Sequence, residues 1–176
     1  MPLNTVHYKG AIKNHAGITV AKDKTKNFFM SHHSVDEAHI SHLKTLLANR
    51  GYTVKNSSID STRPNFASNE EYVKRLLRLR IRWAGTFVCL IGHNTHERSW
   101  VNWEIEQAHR QGKHIVGIFT HGARTADVPE NLNKYGNSLV PWRTDAIEGA
   151  INGGTNWCND DGTRRPNSSA FVHSVC

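Results

Sequence analysis

The chain has 176 residues, of which 38% are hydrophobic and 9% aromatic, and its formal net charge at pH 7 is +7. This length suits one domain with a core of its own. No apolar run approaches the roughly 18 residues that a transmembrane helix needs, and the polar N-terminus lacks the apolar region of a secretory signal. An odd number of cysteines argues against a disulfide scaffold, so a cytoplasmic protein is expected. The positive charge favours an anionic partner, such as a dinucleotide, a nucleic acid or a membrane surface.

Apolar periodicity and turn residues divide the first half of the chain into a polar extension and two strand–helix pairs. Residues 1–26 are polar and carry one short strand-like run at 17–20. Capping-box patterns open both predicted helices, at Ser34 and at Ser68. The loop at 56–65 is polar and longer than most connections, which is typical of functional loops. In chain order, the predicted elements are a strand, a helix, a strand and a helix at 27–30, 34–50, 52–55 and 68–83.

The second half of the chain continues this alternation. Continuous apolar runs at 86–92 and 114–119 are typical of strands buried on both faces of a parallel sheet, and residues 99–112 between them have helical periodicity. Downstream, the patterns predict a short turn or helix, an edge strand, a final helix and a polar tail at 129–135, 139–142, 144–151 and 152–176. The order predicts an α/β fold over residues 27–151: a flavodoxin-like, doubly wound, mostly parallel sheet of about five strands between two layers of helices.

Glu104 lies inside an otherwise apolar helix stripe. At about 100° per residue, Val101, Ile105 and Ala108 share one face of the helix. Glu104 falls on the flank of that face, on the same side as Trp100. A half-buried carboxylate is costly unless it is paired or has a task. Two interpretations follow: a carboxylate that reaches solvent or pairs with an arginine, and a functional group near the carboxyl edge of the sheet, where open α/β sheets bind ligands.

Three stretches together resemble the central part of a TIR domain. Residues 88–92, 100–105 and 112–118 follow one another as strand, helix and strand, and their Trp-Val-x-x-Glu-Ile pattern is the version found in TIR domains that cleave NAD. Residues 28–33 resemble the first strand and following loop of the same family. The best match is the TIR-like subgroup that includes the TIR subunits of bacterial Thoeris antiphage systems. The resemblance covers roughly residues 27–151.

The resemblance implies an enzyme for which NAD is the substrate and which needs no cofactor. Nicotinamide leaves NAD as a neutral molecule, so a single carboxylate, Glu104, would stabilise the positive charge at the anomeric carbon. Trp100 would stack against a ring of the dinucleotide, although its residue type alone equally suits a core aromatic. The loop at 56–65 would gate the site and contact a neighbouring subunit. The other residues that the resemblance places at the substrate are Phe29, Ser31, His32, His33 and Ser57.

The histidines admit other interpretations. Many members of the family carry an arginine where this chain has His32 and His33, and His33 could instead cap its loop. Together with His39 and His42, these side chains suggest zinc, but the chain has no HExxH motif and no Cys/His ligand set, so no metal is expected. It also lacks a P-loop, GxGxxG and GxSxG, which excludes the sites of kinases, classical dehydrogenases and α/β-hydrolases.

Two functions from different classes remain. The first is an antiphage enzyme that cleaves NAD and makes ADP-ribose, a cyclic isomer or a conjugate, as a diffusible signal that activates a partner effector. The second is a non-catalytic TIR-like module that assembles with other TIR surfaces, and TIR–TIR self-association is expected in either case. The basic segment at 74–82 is interpreted as the solvated side of an amphipathic helix. No recognition motif for DNA or RNA is present, so neither a nucleic-acid nor a membrane partner is expected.

Overall fold

A computed structural model describes residues 11–13, 19–21, 24–32, 37–58 and 70–166 of the chain. The strands are β1 (Ala11–Lys13), β2 (Thr19–Ala21), β3 (Thr25–Ser31), β4 (Thr53–Asn56), β5 (Thr86–Ile91), β6 (His114–Phe119) and β7 (Ser138–Val140). The helices are α1 (Glu37–Asn49), α2 (Glu70–Trp83), α3 (Ser99–Arg110), α4 (Glu130–Tyr135) and α5 (Thr144–Ile151). None of these helices combines the length and the apolar composition that a membrane span requires.

Five of the strands form one sheet in the order β4-β3-β5-β6-β7, and every neighbouring pair is parallel. The order reverses beside β3, the first strand of the sheet. This is the flavodoxin-like arrangement, whose ligands bind outside the carboxyl ends of the strands where the order reverses. The predicted doubly wound α/β fold is confirmed.

The strand residues alternate between two apolar layers because successive side chains point to opposite faces of a sheet. One face packs against α2, α3 and α4, and the other against α1 and α5. All six residues of β5 are buried, which explains why this strand is continuously apolar. The residues that carry the first face are Phe29, Phe87, Cys89, Ile91, Ile115, Phe119 and Leu139. Those that carry the second are Phe28, Met30, Val88, Leu90, Val116, Ile118 and Val140.

Most element bounds match the sequence patterns. The bounds of β6 and α5 are as predicted, whereas β3 begins at Thr25 and ends at Ser31, longer at both ends than predicted. The strand-like run in the extension corresponds to β2, which pairs with β1 in an antiparallel hairpin. The predicted helix starts at Ser34 and Ser68, and most of the loop at 56–65, lie outside the described residues.

Residues 152–166 cover the outer edge of β7. The Leu139 amide donates to the Asn156 carbonyl at 2.8 Å, and the Cys158 amide donates to the Leu139 carbonyl at 2.9 Å. Trp157 lies between them in sequence, and only 4% of its surface is exposed. This segment therefore satisfies the open edge that a terminal strand would otherwise present, and adds one aromatic side chain to the core.

Candidate functional site

The carboxyl edge of the sheet brings together two polar side chains that are far apart in sequence. The Ser31 hydroxyl, at the end of β3, donates a hydrogen bond to Oε2 of Glu104 at 2.5 Å. Ser31 pairs in register with Cys89 of β5, and α3 follows β5, so the second turn of α3 lies beside the end of β3. No arginine pairs with Glu104 among the described residues, which excludes the ion-pair interpretation for that part of the chain.

The carboxyl group of Glu104 is held in a poorly hydrated setting. The side chain is half-buried, and its carboxyl group is surrounded by protein. Desolvation by burial raises the pKa of Glu104 to about 7, and the hydrogen bond from Ser31 opposes part of that rise. A carboxylate whose pKa is strongly shifted by its surroundings, at the ligand-binding edge of an α/β sheet, is a candidate for a functional group.

Trp100 lies one helical turn before Glu104, and its ring is accessible. It is 41% exposed, which rules out the core-aromatic interpretation. Its ring meets that of Trp103 edge-on with 5.7 Å between centroids, and the Lys74 ammonium group lies 6.0 Å from its centroid. Because residues four apart share one side of a helix, the accessible ring of Trp100 and the Glu104 side chain lie on the same side of α3.

Asp127 supports the loop that precedes α3. It is 1% exposed and accepts hydrogen bonds from the amides of Asn94, at 2.9 Å, and Arg124, at 2.7 Å. Burial alone would raise the pKa of Asp127, but these two amides, with the side chains of His93 and Arg124, hold it below its usual range. Sequence reasoning missed this role, because the amides it binds come from separate loops and no periodic pattern marks the residue.

A pair of asparagines connects α3 to α4. The Asn131 amide donates to Oδ1 of Asn102 at 3.0 Å, and Nδ2 of Asn131 donates to the Asn102 carbonyl at 2.9 Å. Asn102 is two residues before Glu104. The helix that carries the carboxylate is therefore fixed both at its preceding loop and along its length, which is the kind of support that precise positioning requires.

His32 follows Ser31 directly and is half-buried. Its Nδ1 atom lies 3.0 Å from the Met30 carbonyl. A carbonyl oxygen only accepts, so Nδ1 carries the proton of this hydrogen bond and Nε2 remains available to another partner. On the neighbouring strand β4, Oδ1 of Asn56 accepts a hydrogen bond from the Met30 amide at 3.3 Å. The sequence did not predict this contact.

The remaining residues that the resemblance places at the substrate do not join Glu104 directly. Phe29 is 1% exposed and its ring stacks on Phe87 with centroids 5.5 Å apart, so the ring lies within the core. The Ser57 hydroxyl is also buried and contacts the carbonyls of Phe28 and Arg80, at 3.2 and 3.0 Å. His33 lies outside the described residues.

Metal ligands are not grouped in the part of the chain that the structure describes: no three His, Cys, Asp or Glu side chains there lie close enough to hold one ion. The described residues at the carboxyl edge of the sheet offer a desolvated carboxylate, a hydroxyl donor, an imidazole and an exposed indole ring.

Three solved structures share parts of this architecture. A 2-deoxyribosyltransferase from Bacillus psychrosaccharolyticus is 15% identical, with a TM-score of 0.49 over 69% of this chain and 90% of its own. A CMP N-glycosidase, BcmB, from Clostridium botulinum is 18% identical, with a TM-score of 0.44 over 72% and 98%. A conserved protein from Enterococcus faecalis is 12% identical, with a TM-score of 0.41 over 84% and 94%. The sequence identities and TM-scores of these three structures are too low to indicate a shared function.

Sequence comparison identifies the family. No curated protein matches the chain. The model of the family described as "Thoeris protein ThsB, TIR-like domain" matches residues 29–125, which is more than half of the 176 residues and includes the end of β3 with Ser31, Glu104 and β6. The chain belongs to the Thoeris ThsB TIR-like domain family.

Proposed function

We propose that this protein cleaves the bond between nicotinamide and ribose in NAD, and that it passes the ADP-ribosyl group to an acceptor to make a signal in antiphage defence. The observation that carries the proposal is the desolvated Glu104 carboxyl group, bonded to Ser31 at 2.5 Å at the carboxyl edge of the sheet. Membership of a Thoeris family supports the setting, in which the product activates a partner effector after phage infection.

The reaction requires one well-placed negative charge. The C1′–N bond breaks with its electron pair going to nicotinamide, whose ring loses its positive charge and needs no proton. Positive charge then develops on C1′ and the ring oxygen of the ribose, as in glycoside hydrolysis. Ionised Glu104 stabilises that charge. An acceptor oxygen or nitrogen forms the new bond to C1′ and releases its proton to solvent, giving ADP-ribose with water, a cyclic isomer with an internal atom, or a conjugate with another nucleophile.

The surroundings of Glu104 suit this role. A carboxylate in a poorly hydrated setting interacts more strongly with a developing positive charge than one in water does. Binding of NAD brings the positive nicotinamide ring close to the carboxylate, and this charge favours the ionised form. Part of the cost of ionising Glu104 is thereby offset when the substrate binds.

The rate should depend on pH through Glu104. Because burial raises its pKa to about 7, we expect kcat/KM for nicotinamide release to increase with pH through about 7. Ser31→Ala removes a hydrogen bond that lowers this pKa, so its profile should move to higher pH. Ser138→Ala is the matched control, since the Ser138 hydroxyl is also in a buried strand but bonds Asn156 at the other end of the sheet. An unshifted profile for Ser31→Ala would show that this hydroxyl does not tune Glu104.

Trp100 should contribute to substrate binding. Stacking of a base on an aromatic side chain is worth about 1–3 kcal/mol, so Trp100→Ala should raise KM for NAD roughly tenfold with a smaller change in kcat. Trp83→Ala is the control, because Trp83 is similarly exposed, at 48%, but ends α2 at the opposite edge of the sheet. Equal effects of the two substitutions on KM would exclude stacking on Trp100.

The proposal is tested by measuring nicotinamide release and assembly state in parallel. Purified protein is incubated with NAD over a range of protein concentrations, and its mass is followed by light scattering. Release of nicotinamide supports the enzyme whatever the mass. Assembly without any release, with or without lysate from phage-infected cells, supports the non-catalytic module instead.

A further inference from the structure

A large cavity lies at the β7 edge of the sheet, apart from Glu104. It is half-open and is lined by Val140, the first turn of α5 and a hairpin formed by residues 156–165, and its volume is about 1120 Å³. We call it the edge cavity. Its size is sufficient for a nucleotide-sized molecule. Strands β3 and β7 are three positions apart in the sheet, or roughly 14 Å at the usual strand spacing, so the edge cavity and the Glu104 site are distinct.

The described side chains that line the edge cavity include positive charges and no negative one. Arg143, Arg164 and Arg165 line it, and none of the described lining residues is Asp or Glu. Arg143 and Arg164 are exposed and have no ion pair or side-chain hydrogen bond with the residues that the structure describes.

Arg165 is fixed in place without a carboxylate. Its Nη2 donates to Oδ1 of Asn133 at 2.9 Å, and its guanidinium group lies 5.9 Å from the centroid of the Trp157 ring. Its Nη1 is enclosed and has no hydrogen-bond partner among the described residues. Leaving a buried charged donor unpaired is costly, so Arg165 is held at the wall of the edge cavity with part of its hydrogen-bonding capacity unused.

The backbone around the edge cavity is pre-formed. The Arg165 amide donates to the Trp157 carbonyl at 2.8 Å, and the Asn159 amide to the Thr163 carbonyl at 2.8 Å, which holds the hairpin. Gly162 has a φ of +87°, which favours glycine, and an added Cβ there would lie 3.9 Å from the Arg143 guanidinium. The turn thus packs close to this arginine.

The start of α5 adds to the positive potential. Arg143 occupies the N-cap position of α5 and makes no side-chain cap hydrogen bond, and the N-terminus of the helix carries a partial positive charge beside it. Asp145 lies in the same turn, but its carboxylate pairs with Arg50 at 2.5 Å. Guanidinium groups bind phosphate through pairs of parallel hydrogen bonds, and the backbone amides at a helix N-terminus also bind phosphate.

We propose that the edge cavity is a second binding site that takes a small molecule carrying a pyrophosphate group. Three guanidinium groups suit two linked phosphates, whose negative charges match the unpaired arginines. Asp160 and Asp161 line a neighbouring cavity that shares Arg143. They accept hydrogen bonds from Thr125 and Thr163, respectively, and remain negatively charged, but neither forms an ion pair with Arg143, Arg164 or Arg165 among the described residues.

The test is titration of inorganic pyrophosphate into the full chain by isothermal calorimetry at low ionic strength. Four proteins are compared: wild type, Arg143→Gln/Arg164→Gln, Arg75→Gln/Arg82→Gln and Glu104→Gln. The Arg75/Arg82 pair removes the same charge from two exposed arginines of α2 and controls for general attraction of anions. Glu104→Gln is included because it alters the other site alone. Far-UV circular dichroism and the thermal midpoint confirm that each variant is folded.

We expect wild type to bind pyrophosphate with a defined stoichiometry. The Arg143→Gln/Arg164→Gln variant should either lose one equivalent of bound pyrophosphate or bind it with a Kd higher by roughly tenfold or more for each guanidinium removed. The Arg75/Arg82 pair and Glu104→Gln should keep that equivalent. No saturable binding to wild type, or equal losses in the two arginine pairs, would overturn the proposal. Nicotinamide release is not a readout here, so failure of this proposal is separate from failure of the proposed function.

Discussion

Replacing Glu104 by glutamine should reduce nicotinamide release from NAD by at least about 10²–10³-fold, the loss that follows removal of one preorganised electrostatic group from a transition state. Glutamine keeps the shape of the side chain and an oxygen that can accept the Ser31 hydroxyl, so the helix and the sheet edge should be unchanged. What disappears is the negative charge opposite the anomeric carbon. Initial rates at pH 8, where most wild-type Glu104 is ionised, measure the loss.

Glu106→Gln is the matched control for this substitution. Glu106 lies two residues further along α3 and pairs with Arg110 at 2.7 Å on the solvent side. Its neutralisation removes the same charge from the same helix and should leave the rate within about twofold, because a surface ion pair is worth only about 0–1 kcal/mol. If Glu104→Gln released nicotinamide as fast as Glu106→Gln does, the proposed role of Glu104 would be wrong.

The same substitution should stabilise the protein increasingly as pH rises. The pKa of Glu104 is raised from 4.5 to about 7 in the folded state, so between these values the folded chain binds more protons than the unfolded chain. The free energy of unfolding of wild type therefore falls with pH across this window, and the loss is complete above pH 7. Glutamine does not titrate, so the free energy of unfolding of Glu104→Gln should rise relative to that of wild type by about 2–3 kcal/mol between pH 5 and pH 8.

Urea unfolding of both proteins at pH 5, 6, 7 and 8 measures this difference. Other titrating groups, including the twelve histidines, are common to both proteins and cancel in the comparison. The value of about 2–3 kcal/mol is an upper bound, because the Glu104 side chain as a whole is only half-buried. Glu106→Gln should show no such trend. A difference between Glu104→Gln and wild type that stays constant with pH would mean that Glu104 is not held in a desolvated setting.

The parts of the structure that follow from local pattern could be predicted from the sequence. The apolar run of β6 and the amphipathic pattern of α5 determine their bounds without help from distant residues. The added residues at the start of β3 are different: Thr25 and Lys26 are polar, and they belong to the strand because they pair with Thr53 and Val54 of β4. Such pairing depends on tertiary contacts, which override local propensity.

The candidate site was predictable in kind but not in detail. The topology rule for open α/β sheets placed Ser31 and Glu104 at one edge, yet the hydrogen bond between them depends on how α3 packs against β3. The roles of Asp127 and Asn131 depend on contacts between loops, for which the sequence has no periodic signal. Trp157 is hidden in the same way, because a polar segment surrounds the one aromatic residue that covers β7.

The most direct test of the central claim is mass spectrometry of NAD after incubation with concentrated wild-type protein and with Glu104→Gln, each with and without lysate from phage-infected cells. We expect nicotinamide and an ADP-ribose species in equal amounts with wild type in at least one condition, and neither with Glu104→Gln. Intact NAD in every wild-type sample, or the same products from Glu104→Gln, would contradict that claim.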